Sequence, residues 1–257
     1  MPDNILAVRP SSYGKAAGRA YEEMEKIGLK HLEADIGHPS QAPAEKAKYE
    51  AHGISASTLS GRIDVQSSHC ALLFEPWAAA CQYLGASGMF VSVEAGDLDK
   101  RIAYGRLYEC GEVAKQYGIT ICMETHPDLI TNMDIALETI KGVDHPNVTV
   151  NYDTANIYYY NAGIDGIEEL KKILDHVGAI HLKESNGKPE TWYFPTFGDE
   201  HGIVDWEQTF KLLNDRGFHG PFTMEIEGCK GEGFGPDDYI KRVADSVAHL
   251  RGLGLVP

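Results

Sequence analysis

Along 257 residues, eight short apolar stretches alternate with eight helix-patterned ones, and few folds accommodate that order. The strand-like stretches cover residues 5–8, 29–36, 53–59, 88–93, 118–124, 147–153, 177–182 and 221–226. Apolar spacing predicts helices over 15–27, 44–52, 67–84, 98–117, 132–141, 167–176, 205–216 and 237–250, with Asp205 as an N-cap. Gly28, Gly118 and Gly217 fall just past helix ends, where a left-handed residue is wanted. Strict alternation argues for a parallel sheet, and eight units argue for its closure into an α/β barrel of the (β/α)8 type. No linker interrupts the pattern, so a single domain over residues 1–257 is expected.

Four of the strands share a second pattern. In 147–153, Val148, Val150 and Tyr152 alternate with Thr149, Asn151 and Asp153. The same parity groups Glu124 with Thr120 and Cys122, His181 with Ala179, and Glu225 with Thr223. Each ionisable residue stands near the C-terminal end of its strand, where barrels of this kind carry their active sites. By strand count the four occupy the fifth to eighth strands, a contiguous half of the rim. Three carboxylates crowded there repel one another unless a cation compensates them. Three carboxylates with one imidazole suit Mn²⁺, Mg²⁺ or Co²⁺, with Zn²⁺ an alternative. The competing reading of any one of them is an ion pair, with Lys183 the partner of Glu124 or Glu225.

Composition narrows the function classes. The formal net charge of -15 disfavours nucleic acid and anionic membrane surfaces as partners. No apolar run approaches the ~20 residues that span a bilayer. Residues 1–4 show no basic segment leading into an apolar one. Five cysteines without a C-x-x-C pair fit reduced thiols, and a cytoplasmic location is expected.

The motifs Met123-Glu124-Thr125-His126, Asn151-Tyr152-Asp153-Thr154, Ile180-His181-Leu182-Lys183-Glu184 and Met224-Glu225-Ile226-Glu227 resemble those of the xylose isomerase-like TIM barrel superfamily. Within it they are most similar to the sugar (phosphate) isomerases and epimerases, among them ketose 3-epimerases and hydroxypyruvate isomerases. The glycine-rich turn over 197–206, leading into Asp205-Trp206, is similar as well. The resemblance implies a metal held by Glu124, Asp153, His181 and Glu225, with Mn²⁺ the first expectation, and proton transfer by Glu124 and Glu225. Two positions depart from the pattern. Asn156 stands where many relatives have histidine, and 184–188 lacks the arginine typical of ketose 3-epimerases. Asn156 also weighs against an endonuclease IV-like activity, and the Asp199-x-His201 pair reads as loop structure.

The implied chemistry is isomerisation or epimerisation of a small keto-sugar, sugar acid or sugar phosphate through proton transfer and a metal-stabilised enediolate. His126, Asn156, Lys183 and Glu33 are the candidate substrate contacts; Glu33 has pairing inside the barrel as its alternative. Tyr158, Tyr159, Tyr160, Trp192, Tyr193 and Phe194 are candidates for a cover over the substrate or for packed loops, and they permit a homo-oligomer. Other readings are a metal-dependent hydrolase or lyase on the same barrel and a non-catalytic sugar-binding protein.

Overall fold

The computed structural model describes residues 3–257; Met1 and Pro2, where the stretch read for a leader begins, lie outside the described residues. Eight parallel strands close into one barrel: β1 (Leu6–Val8), β2 (His31–Asp35), β3 (Ser55–Ser60), β4 (Gly88–Val91), β5 (Thr120–Glu124), β6 (Val148–Asp153), β7 (Val177–Leu182) and, after a short β8 (Tyr193–Phe194), β9 (Phe222–Met224), which pairs back onto β1. The expected (β/α)8 architecture is therefore observed as a single domain. Among the described residues no helix is long and apolar enough to cross a membrane.

The outer layer consists of α1 (Ala20–Lys26), α2 (Ala42–Glu50), α3 (Cys70–Leu84), α4 (Lys100–Gln116), α5 (Met133–Val143), the four-residue α6 (Asn156–Tyr159), α7 (Gly166–Ile173), α8 (Trp206–Asp215) and α9 (Pro236–Gly252). Asp99, Asn132, Asp165 and Asp205 each accept a backbone N–H at a helix start, as N-caps do. Helix α8 buries Trp206, Phe210 and Leu213, and Phe210 stacks on Phe222 at 4.3 Å between ring centroids. That contact anchors β9, whose continuation carries Glu225.

The first helix is shorter than its apolar spacing predicts. Residues Pro10–Arg19 form 3₁₀ turns broken at Gly14, and α1 starts only at Ala20. Gly14 has φ +48°, and a Cβ there would collide with the Tyr239 ring. The expected loop 183–204 contains β8, which pairs antiparallel with β10 (Gly228–Cys229). This ladder joins the loops that follow β7 and β9.

Two register shifts set the interior. One between Leu32 and Glu33 brings Glu33 opposite Thr58; one between Val150 and Asn151 brings Asp153 opposite His181. Lower in the barrel, Cys122 and Thr149 fill the axis beside Gly88 and Gly178. A Cβ on Gly178 would collide with Thr149 Oγ1, which donates to Ile121 O at 2.9 Å. Gly178→Ala is expected to destabilise the fold by ~1–3 kcal/mol through overpacking. Urea unfolding checks this, and an unchanged midpoint would show that the barrel axis has room to spare.

Candidate active site

Glu124, Asp153, His181 and Glu225 converge above the barrel axis. One ligand-type atom from each lies within 4.8 Å of the others, and all four side chains are buried. Strand geometry explains the convergence. Glu124 and Asp153 end β5 and β6, His181 is the penultimate residue of β7, and Glu225 follows β9 directly. Each points inward by the parity of its strand.

Each carboxylate is held by one oxygen or both. Asp153 Oδ1 accepts the N–H groups of Ala155 and Asn156, both at 2.8 Å, which turns Oδ2 toward the cluster. Glu124 Oε1 accepts from Asn156 Nδ2 at 3.1 Å, and its Oε2 accepts from the Ser92 hydroxyl. Glu225 Oε1 accepts from Arg9 Nη1. The His181 ring stacks on Phe90 at 4.4 Å, with Nε2 3.2 Å from Glu33 Oε2 and Nδ1 3.3 Å from Glu225 Oε2. With its proton on Nε2, the ring donates to Glu33 and presents the Nδ1 lone pair to the cluster.

Asp153 Oδ2, His181 Nδ1 and Glu225 Oε2 are buried and make no hydrogen bond. Buried polar atoms without such partners are rare, and here three share one space. Oxygen and nitrogen donors so arranged fit a divalent cation. The positive charge now facing them is Lys183, whose Nζ lies 2.6 Å from Glu225 Oε2, 3.3 Å from Asp153 Oδ2 and 2.8 Å from Glu227 Oε2.

These neighbours divide the proton affinities. Burial and the nearby Glu225 charge push Glu124 up to about 6. Burial also opposes the Glu225 carboxylate, but Lys183, His181 and Arg9 outweigh it and hold Glu225 well below the usual range. Burial opposes a charged His181, yet Glu33 and Glu225 push it up to about 10. The same buried negative charge that favours a proton on His181 also favours a cation among these side chains.

Above the cluster lies a cavity of about 310 Å³, lined by Glu124, Glu225 and Glu227, by Arg9, Lys183, Asn156 and His126, and by Phe90, Ser92, Tyr159, Tyr160, Trp192 and Phe194. This is near the lower end of the ~300–1,000 Å³ typical of ligand pockets. Asp153 and His181 do not line it; both are fully buried.

Of the expected substrate contacts, His126, Asn156 and Lys183 reach the cavity wall. Glu33 does not. It is 1% exposed and sits behind His181, where it also meets Arg9 Nε at 3.3 Å, so its position is that of a support for the imidazole. The aromatic residues form one wall: Tyr159 packs edge-on against Tyr160 and Trp192, and Trp192 against Phe194. Asp199 accepts from Tyr193 Oη at 2.6 Å and from His201 N at 2.9 Å, while His201 is exposed, so this pair serves the loop.

Sequence reasoning missed Arg9, Ser92 and Glu184. Arg9 shares the parity of Ala7 one residue beyond β1, and Ser92 that of Phe90 just past β4. Buried Glu184 accepts the N–H groups of Ser185, Gly198 and Val204 at 3.1–3.3 Å and so pins the long loop over the site.

Residues 72–252 match the xylose isomerase-like TIM barrel family. L-ribulose-5-phosphate 3-epimerase UlaE of Escherichia coli K12 is 27% identical over 135 residues, 52% of this chain and 45% of that protein. Inosose isomerase of Halalkalibacterium halodurans is 23% identical over 158 residues, 59% of this chain and 55% of that protein. The matched stretches thus span about half the length of these curated relatives. The crystal structure of D-psicose 3-epimerase with D-tagatose from Clostridium cellulolyticum H10 covers all of both chains with a TM-score of 0.76 at 16% identity, a likeness of fold. The match over most of the chain, on a closed eight-stranded barrel with an acidic and imidazole cluster at its strand ends, makes this protein a member of the xylose isomerase-like TIM barrel family.

Proposed function

We propose that the chain is a divalent-metal-dependent isomerase or epimerase of a small keto-sugar, working in the cytoplasm with Mn²⁺ as its first-choice ion. The observation that carries this reading is a division within the cluster. Glu124 and Glu225 line the cavity, whereas Asp153 and His181 are sealed beneath it. A purely structural ion site has no need to expose two of its carboxylates to a ligand.

Glu124, Asp153, His181 and Glu225 would hold the cation, which supplies Lewis-acid stabilisation for negative charge building on two adjacent substrate oxygens. The chain's own residues do the rest. One glutamate removes the proton from the carbon beside the carbonyl, and the other returns a proton from the opposite face. Return to the same carbon epimerises; return to the former carbonyl carbon, with the hydroxyl proton passing from one oxygen to the other, isomerises. Ser92 and Asn156 fix Glu124, and Arg9 fixes Glu225, so neither carboxylate must reorganise during transfer. Tyr159, Trp192 and Phe194 offer flat apolar faces to sugar C–H groups and exclude water.

Solvent deuterium uptake tests the proposal. In D₂O with Mn²⁺ and a panel of ketoses, label is expected at a carbon next to the carbonyl, and it should disappear in Glu124→Gln. Isomerised product without label would point to an internal hydride shift or to a proton passed between carbons without solvent exchange. Neither product nor label would end the isomerase reading.

A further inference from the structure

We infer that the site takes an uncharged polyhydroxy ketose, carrying neither phosphate nor carboxylate. This deepens the isomerase/epimerase reading and rests on it.

The charge inventory of the site is the first ground. Glu33, Glu124, Asp153, Glu225 and Glu227 face two fixed cations, Arg9 and Lys183. Both cations are committed: Arg9 to Glu33 and Glu225, Lys183 to Asp153, Glu225 and Glu227. With His181 neutral and a divalent cation added, five negative charges still exceed four positive ones. His126 reaches the cavity with Glu94 Oε1 3.6 Å from its Nδ1. A phosphate dianion would enter a negative site where, among the described residues that line the cavity, Arg9 and Lys183 are both already paired.

The second ground is the place where barrels often grip phosphate, the loops after the last two strands and the helix start beyond them. Here several of those donors are occupied. Lys230 N donates to Trp192 O, Glu232 N to Cys229 O, and Gly235 N, at the start of α9, to Asp238 Oδ2 at 2.8 Å. Asp237 and Asp238 add negative charge to that helix start.

Arg242 is the strongest counter-candidate. It lines a second cavity of about 320 Å³ that shares Arg9, Trp192, Glu225 and Glu227 with the first, and its Nε is buried without a partner. Yet its Nη1 donates to Glu232 Oε2 at 3.0 Å, and the guanidinium lies over Phe234 and Tyr239. Its charge is therefore already neutralised, and this second space suits the hydroxyl groups of an uncharged distal chain.

Calorimetric titration of Mn²⁺-loaded protein tests the inference. The probes are free 2-ketopentoses and 2-ketohexoses, their terminal phosphate esters, and inorganic phosphate. A free ketose is expected to bind about a hundredfold or more tightly than its ester, because like charges are juxtaposed in the ester complex. Inorganic phosphate at millimolar concentration should not compete. Glu227→Gln should narrow the gap between ketose and ester several-fold. An ester that binds as tightly as its free ketose, or no binding of any free ketose, would overturn the inference. Binding of a free ketose without solvent exchange would instead remove the isomerase chemistry and leave the substrate class standing.

Discussion

Glu225→Gln is expected to lower turnover by about 10²–10⁴-fold at saturating Mn²⁺, the span that a positioned acid or base contributes. The substitution preserves shape. An amide at this position still accepts from Arg9 through one oxygen, so the ring stack of His181 on Phe90 and the barrel closure should survive. What it removes is the charged Oε2, a buried oxygen that faces Lys183 Nζ at 2.6 Å, lies among the cluster atoms and belongs to a residue on the cavity wall. Two effects must be separated, because Glu225 is both a proposed metal ligand and a proposed proton carrier. Calorimetric Mn²⁺ binding gives the first, and turnover at saturating metal gives the second. Loss of affinity with turnover restored by excess metal would make Glu225 a ligand alone. Loss of turnover that metal does not restore supports the proton role.

The residues of the cluster were legible because strand parity and strand ends are local signals. Glu124, Asp153, His181 and Glu225 each carry both within six or seven residues of sequence. The partners that orient them were not, since their contacts depend on which strands meet across the barrel. Glu33 and His181 are 148 residues apart, and no local pattern joins them. Arg9 was missed because β1 is only three residues long, too short to establish a face, and Arg9 lies beyond it, directly before Pro10. Ser92 carries no charge to draw attention. The ladder of β8 with β10 consists of two-residue strands inside loops, below the length at which alternation can be read. The first helix differs at its start: residues 15–19 carry helical apolar spacing but continue the 3₁₀ turns of Pro10–Arg19, behind a kink at Gly14 where Tyr239 approaches closely, and α1 starts only at Ala20.

Lys183→Met should produce the largest loss of stability in metal-free buffer and the larger gain when metal is restored. The lysine is 2% exposed, and its ammonium compensates Asp153, Glu225 and Glu227 together. Removing one partner of a buried ion cluster typically costs ~3–5 kcal/mol, because the remaining charges stay buried. For a chain of this size that lowers the melting temperature by on the order of 10 °C in metal-free buffer. Methionine fills most of the same volume, so the loss is electrostatic rather than a cavity effect. The ammonium also stands at the cavity wall against Asp153, which does not itself reach that wall, so the substitution opens the cluster to an incoming ion. Mn²⁺ should therefore raise the melting temperature of Lys183→Met by more than it raises that of the natural protein, by linkage to a site freed of a competing cation. Differential scanning calorimetry after chelation, then after Mn²⁺ is restored, gives both numbers for both proteins. A metal-free variant that melts within a degree or two of the natural protein would show that Lys183 is not the compensating charge. A variant destabilised as expected but indifferent to Mn²⁺ would show that the carboxylates require a cation of the lysine kind and do not form a divalent site.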